Sequence, residues 1–268
     1  MTNQCSHVKF VKSRPPVLLS KHEIAAGILL LILTIGYFVY PIIQQRQFNI
    51  RAQHTIIAFE SRIEAYRADH QHQLLHHIQS DALSSHAPYF WLDVVGSWLS
   101  SINMRLYLSG QEHLVDPFDY IHPSFNLESF GFYTDIVGVL AIPVIDINLP
   151  IYLGASVQHM NNGVAHVTHS SFPIGGDSTN TVIAGHRNMA ITYGQVFSDI
   201  GQLQVGDKIT ITSFIQCMTY TVVEKRVVHA NDADVLRIQS GRELVTLITT
   251  YGRRGNRRYL VIAERVYN

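Results

Sequence analysis

TLITTYGRRGNRRYLV, residues 246–261, reads as a strand, a loop rich in glycine and arginine, and the opening of a second strand. Upstream, NTVIAGHR (180–187) is a run of buried-strand character that ends in a glycine and His186. The first of these strands ends at Thr250, and the last opens at Arg258. A histidine and an arginine held at strand ends can supply a proton donor and an oxyanion stabiliser for acyl transfer.

Working outward, short runs rich in Val, Ile, Thr and Tyr fill the chain after Gly131: VGVLAIPVIDINLPIYLG, NTVIAGH, KITITSF, MTYTVVEKRVV, LVTLITT and RYLVIAERV. Turn clusters such as Gly175-Gly176-Asp177 and Val205-Gly206-Asp207-Lys208 separate them. Strands at this spacing predict a closed barrel or a sandwich over 132–268. Residues 110–131 read as a loop, broken by Pro117 and Pro123.

The first part of the chain differs in character. Ile24 to Ile43 carries no charge and, at ~1.5 Å per residue, is long enough to cross a ~30 Å hydrocarbon core. Lys9, Lys12, Arg14 and Lys21 precede it, while Arg46 and Arg51 follow. That bias predicts a single-pass signal anchor over 24–43, with residues 1–23 cytoplasmic and the rest outside the cell. Residues 44–109 read as a helical stalk, with Ile50, His54, Ile57, Phe59 and Ile63 as its apolar stripe and Tyr66 and Leu74 beyond.

Charge and cysteine usage exclude some classes of function. Lys and Arg total 20 and Asp and Glu total 20, so no general nucleic-acid surface is expected. Cys5 and Cys217 fall on opposite sides of the predicted membrane and form no disulfide framework. Cys217 lies in a strand-like run and reads as a small packed residue. His72 and His76 are one helical turn apart, with His70 and His77 nearby, and read as part of a solvated helix face. No metal or cofactor is expected.

Taken in order, LPIYLG (149–154), GVAHVTHSSFPIGGDSTNTVIAGHR (163–187), FSDIGQLQVGDKI (197–209), TLIT (246–249) and RYLV (258–261) resemble the sortase family. The resemblance is to class C sortases, which polymerise pilins on Gram-positive cells. Their N-terminal lid carries an Asp-Pro-aromatic motif that plugs the active-site groove, and Asp116-Pro117-Phe118 stands in the predicted loop. An acidic residue there can pair with the arginine, while the ring fills an apolar groove and the proline stiffens the insert.

The resemblance implies a mainly β protein: a closed sortase barrel of about eight strands with short helices, after a transmembrane helix and a helical stalk. It implies transpeptidation of LPxTG-like sorting signals, with a cysteine thiolate attacking the Thr-Gly bond and an amine resolving the acyl-enzyme. That amine belongs to a pilin lysine or a cell-wall precursor. His186 matches the family's histidine and Arg258 its arginine. The cysteine belongs directly after Thr246-Leu247-Ile248-Thr249, which is Thr250. Class C members read TLxTCTPYG there, so this segment is shortened by two residues. Aligning on Tyr251-Gly252 would nominate Arg257, whereas strand parity favours Arg258. Two readings stay open: a sortase with an altered nucleophile and reduced or no activity, or a non-catalytic pseudo-sortase that binds pilin sorting signals or a partner sortase.

Overall fold

Strand-forming residues after position 135 assemble into one closed barrel, in the order β1-β2-β3-β4-β7-β8-β6-β5. The computed structural model describes residues 20–79, 90–119, 135–187, 196–252 and 254–267. The strands are β1 (Ile136–Ile142), β2 (Ile147–Leu153), β3 (Val164–His166), β4 (Thr179–Ala184), β5 (Lys208–Ser213), β6 (Cys217–His229), β7 (Glu243–Tyr251) and β8 (Arg257–Arg265). The expected barrel of about eight strands is therefore present.

The run read as VGVLAIPVIDINLPIYLG is two antiparallel strands, β1 and β2, because Pro143 opens a single 3-10 turn between them. Two neighbouring pairs are parallel, β2 with β3 and β4 with β7, and these require crossover connections. The short helix α3 (Val157–Asn162) makes the first crossover, with the Ser156 hydroxyl accepting from the His159 N–H as its N-cap. Strands β5 and β6 fill the second. β6 bends at a bulge between Val222 and Glu224, so its first half pairs with β5 while it runs on along β8.

Alternation along β3, β4, β7 and β8 sorts their side chains onto two faces, both buried. Val164, Ile183, Val245, Leu247, Val261 and Ala263 join the main core. Their sequence neighbours Ala165, Val182, Ala184, Ile248 and Leu260 join a second cluster with Met160 of α3, Leu114 and Leu236. A sheet covered on both faces loses its polar positions, which is why these strands read as nearly continuous apolar runs.

Two helices add to the main core. The chain divides into two units at Ile43/Gln44, and helix α1 (Lys21–Gln79) contributes to both. Up to Ile43 its apolar side chains are exposed, and α1 is long and apolar enough to cross a membrane. From Gln44 onward the buried stripe is Phe48, Ala52, Ile56, Phe59 and Ile63, packed with the barrel residues. This corrects the stripe expected from Ile50, His54 and Ile57, all of which are exposed. Steps of four, four, three and four residues keep one helix face against the sheet, and Ala52 allows close approach where hydropathy alone gives little signal. The side chains of Tyr66, Leu74 and the four clustered histidines lie outside the described residues. Helix α2 (Phe90–Leu108) buries Val95 and Leu99. Its Asn103 side chain donates to the Phe172 carbonyl at 3.2 Å and accepts from the Phe172 N–H at 2.7 Å.

His166, on the core-facing side of β3, is 1 % exposed. Its Nε2 lies 3.1 Å from the Ser171 carbonyl oxygen and 3.2 Å from the Ser170 hydroxyl, so it is the protonated nitrogen of a neutral ring. Burial pushes its pKa down to about 4. The unfolded chain therefore takes a proton near pH 6.5 that the folded chain refuses until about pH 4. This contribution to stability is complete above pH 6.5 and lost as pH falls through that window. Urea unfolding of the detergent-solubilised chain should show about 2 kcal/mol of this loss by pH 5. The same acid sensitivity in His166→Gln would show that another group is responsible.

Candidate active site

The parallel pairing of β4 with β7 and the antiparallel pairing of β7 with β8 bring three separated residues side by side. Ala184 is paired with Ile248, and the Gly185 N–H donates to the Ile248 carbonyl at 3.2 Å. His186 therefore leaves β4 level with Thr250. On the other side of β7, Thr250 is the direct cross-strand partner of Arg258. Thr250 has the parity of Ile248, and Arg258 that of Leu260, so both belong to the face of the second apolar cluster. Directly opposed residues on one face have their Cβ atoms ~4.5–5.5 Å apart.

Local packing fixes His186. A Cβ on Gly185 would come within 2.7 Å of the Phe197 ring, so only glycine fits there. The Phe197 N–H then donates to the His186 carbonyl at 2.9 Å. Thr249, which points to the opposite face from Thr250, donates its hydroxyl to the Gly185 carbonyl at 2.7 Å. His186 is 5 % exposed as a residue, and burial lowers its pKa below the ordinary histidine value, which favours the neutral ring.

The Asp116-Pro117-Phe118 segment covers this face. Asp116 accepts from Nε of Arg258 at 2.7 Å and also from Nη2, a bidentate ion pair. Both side chains are nearly sealed, at 7 % exposed for Arg258 and 11 % for Asp116. Pro117 is buried and opens a 3-10 turn, Pro117–Asp119. Phe118 lies between the two site residues, its ring centroid 6.2 Å from that of His186 and 4.7 Å from the Arg258 guanidinium carbon. Residues 120–134 lie outside the described residues.

Arg257, the other arginine considered, is exposed and sits 5.3 Å from the centroid of the Tyr251 ring. Cys217 is exposed rather than packed, because the buried parity of β6 is that of Met218, Tyr220 and Val222. It opens β6, and Val228, the partner of Arg258, lies near the far end of that strand. At ~3.3 Å per residue the strand between them runs for roughly 35 Å along its bent path, which puts the thiol toward the opposite end of β6 from the site.

Two features escaped the sequence reading. Gln111, 2 % exposed at a left-handed φ of 53°, donates to the His169 carbonyl at 2.9 Å and accepts from the Ile238 N–H at 2.6 Å. It pins the base of the covering segment, and a lone polar residue after a glycine gives no hint of that. Arg187 stacks over Tyr251 and Tyr259, at 5.2 and 5.8 Å from their centroids, on the opposite face of the hairpin. Its place beside His186 was the available signal.

If Phe118 is what keeps water from His186, Phe118→Ala should raise the imidazole pKa toward its ordinary value. NMR titration of the His186 ring signals measures this directly. An unchanged midpoint would mean that the barrel, not the covering segment, desolvates the ring.

Residues 140–266 match the family model described as the sortase domain. The chain is 30% identical over 133 residues to sortase D of Bacillus subtilis (strain 168), an overlap of 48% of this chain and 63% of that protein. It spans between 52% and 63% of the length of the curated relatives it matches. Among solved structures, sortase C-1 from Actinomyces oris shares 29% identity with a TM-score of 0.57, covering 66% of this chain and 99% of that one. A pilus-related sortase C of Group B Streptococcus shares 27% identity with a TM-score of 0.54, covering 64% of this chain and 91% of that one. The matched region, residues 140–266, runs from within β1 to beyond the end of β8, so the part of the chain that is similar to the sortase domain is the barrel itself.

Proposed function

We propose that this chain is a membrane-anchored, class C sortase-like protein of the Gram-positive cell surface, with its N-terminus cytoplasmic and its barrel outside. Its groove takes LPxTG-like sorting signals of pilins. Its own transpeptidase activity is reduced or absent, because Thr250 stands where the family carries its cysteine. The observation that carries this reading is the convergence of His186, Arg258 and Phe118 on the face that Thr250 shares, beneath Asp116. The pilus-related sortase C among its structural relatives supports the same substrate class.

The chemistry follows from the atoms present. In the family's reaction a thiolate attacks the carbonyl of the Thr-Gly bond, the glycine amine departs, and a second amine resolves the thioester. In this reading Arg258 stabilises the oxyanion once Asp116 has left its Nε/Nη2 edge, and a neutral His186 moves a proton. A thiol ionises near pH ~8.5, whereas a threonine hydroxyl is far less acidic and needs an efficient base beside it. Removing the nucleophile from such a cooperating set costs on the order of a millionfold in rate.

The second reading, a non-catalytic pseudo-sortase that holds sorting signals or a partner sortase, is favoured by Cys217. The one cysteine among the described residues is a barrel length away and cannot substitute.

Incubation with an LPxTG peptide and an amine acceptor should give no turnover above background for the natural chain. Turnover that vanishes in Thr250→Ala would sink the proposal and make Thr250 a nucleophile. Thr250→Cys should restore measurable transpeptidation, because the new thiol would share the face of Arg258. If it labels with a thiol reagent but turns nothing over, the shortened loop has cost more than one atom.

A further inference from the structure

What can occupy this groove is set by how the Arg258 guanidinium is used. Its Nη1 is committed to the fold, donating to the Gly255 carbonyl at 2.6 Å and the Arg257 carbonyl at 3.0 Å. Gly255 turns its carbonyl inward from a φ of 66°, a conformation that favours glycine. The opposite edge, Nε and Nη2, therefore faces the groove as two parallel donors whose orientation is already fixed. Asp116 takes one with each carboxylate oxygen.

A carboxylate is the group that matches such a fork. A peptide carbonyl offers one acceptor atom, and the amide N–H beside it adds no second acceptor. With Asp116 and Phe118 in place the Arg258 side chain is 7 % exposed, and an occupant that fills their positions keeps that charge buried and must also neutralise it, since an unpaired buried charge is strongly disfavoured. The surroundings are apolar. Phe118 lies against the guanidinium, and Leu114 is buried in the second cluster. Thr250, cross-strand from Arg258 on the same face, adds a neutral hydroxyl. A thiolate at that position would repel an incoming anion.

We propose that this groove receives peptides ending in a free α-carboxylate, such as the threonine-terminated product of a cleaved sorting signal, in preference to the intact signal. The terminal carboxylate takes the place of Asp116 on the Nε/Nη2 edge, and the apolar side chains before it take the places of Leu114 and Phe118. This inference rests on the reading of the groove as a sorting-signal site, and adds to it which chemical form is bound.

Calorimetry on the full chain in detergent micelles tests it with three probes: acetyl-Leu-Pro-Ala-Thr as the free acid, the same peptide as its C-terminal amide, and acetyl-Leu-Pro-Ala-Thr-Gly-amide. The free acid should bind about ten- to a hundredfold more tightly than either amide, the scale of one charge-assisted hydrogen-bond pair. Asp116→Asn, which removes the competing carboxylate, should strengthen acid binding more than amide binding. Arg258→Lys, which keeps the charge but not the fork, should erase most of the preference. Measurable binding with less than a threefold difference between acid and amides would overturn this inference and leave the sorting-signal reading standing. A preference that survives Arg258→Lys would overturn it too. No binding of any probe, to the natural chain or to Asp116→Asn, would remove both.

Discussion

A guanidinium sealed from water must keep a counter-charge beside it, and much of this site is arranged around that demand at Arg258. Antiparallel pairing with Thr250 holds its backbone at the end of β8, and two backbone carbonyls turn its guanidinium. The remaining edge reaches a carboxylate far back in the chain, Asp116. Breaking a buried pair by removing one partner costs about 3–5 kcal/mol. The segment carrying Asp116 is thus held to the barrel by an interaction that any ligand must replace rather than simply exclude.

The same contact depends on the sheet beneath it. Because β3, β4, β7 and β8 are buried on both faces, their alternation sends one set of side chains to the main core and the other under Leu114 and Phe118. A register slip of one residue in β7 would exchange Thr249 with Thr250 and turn the wrong hydroxyl to the face of Arg258. The parallel β4–β7 pairing excludes that slip by tying Gly185, and with it His186, to Ile248. Geometry at the site is inherited from strand order, while the loops contribute conformations: a glycine against Phe197 and a turned carbonyl at Gly255.

How legible this was in the sequence varied with length and with burial. Strands such as β7 and β8 announced themselves through β-branched and aromatic runs, and the parity that puts Arg258 on the face of Leu260 could be counted on the page. β3 spans only Val164–His166, too short for any period to register, and it pairs on both sides only because its neighbours hold it. The α1 stripe was misphased because hydropathy favours Ile50 and Ile57, whereas the buried face needs Ala52 where the helix meets the sheet. Gln111 was invisible for a related reason. Its worth lies in two hydrogen bonds to segments distant in sequence, and nothing local reports them.

Thr250 itself makes better sense in the folded chain than as a missing atom. β7 runs on to Tyr251, so that Thr250 pairs with Arg258 and Tyr251 with Arg257 before the loop begins. A β-branched residue suits a position inside a ladder. The electrostatics agree with this. A thiolate would call for a cationic histidine nearby, yet burial keeps His186 neutral, and Arg258 already has its carboxylate. The closed site is balanced as one cation, one anion and two neutral groups. Introducing an ionised nucleophile would disturb that balance unless Asp116 first withdrew, so covering segment and nucleophile are linked through the single positive charge between them.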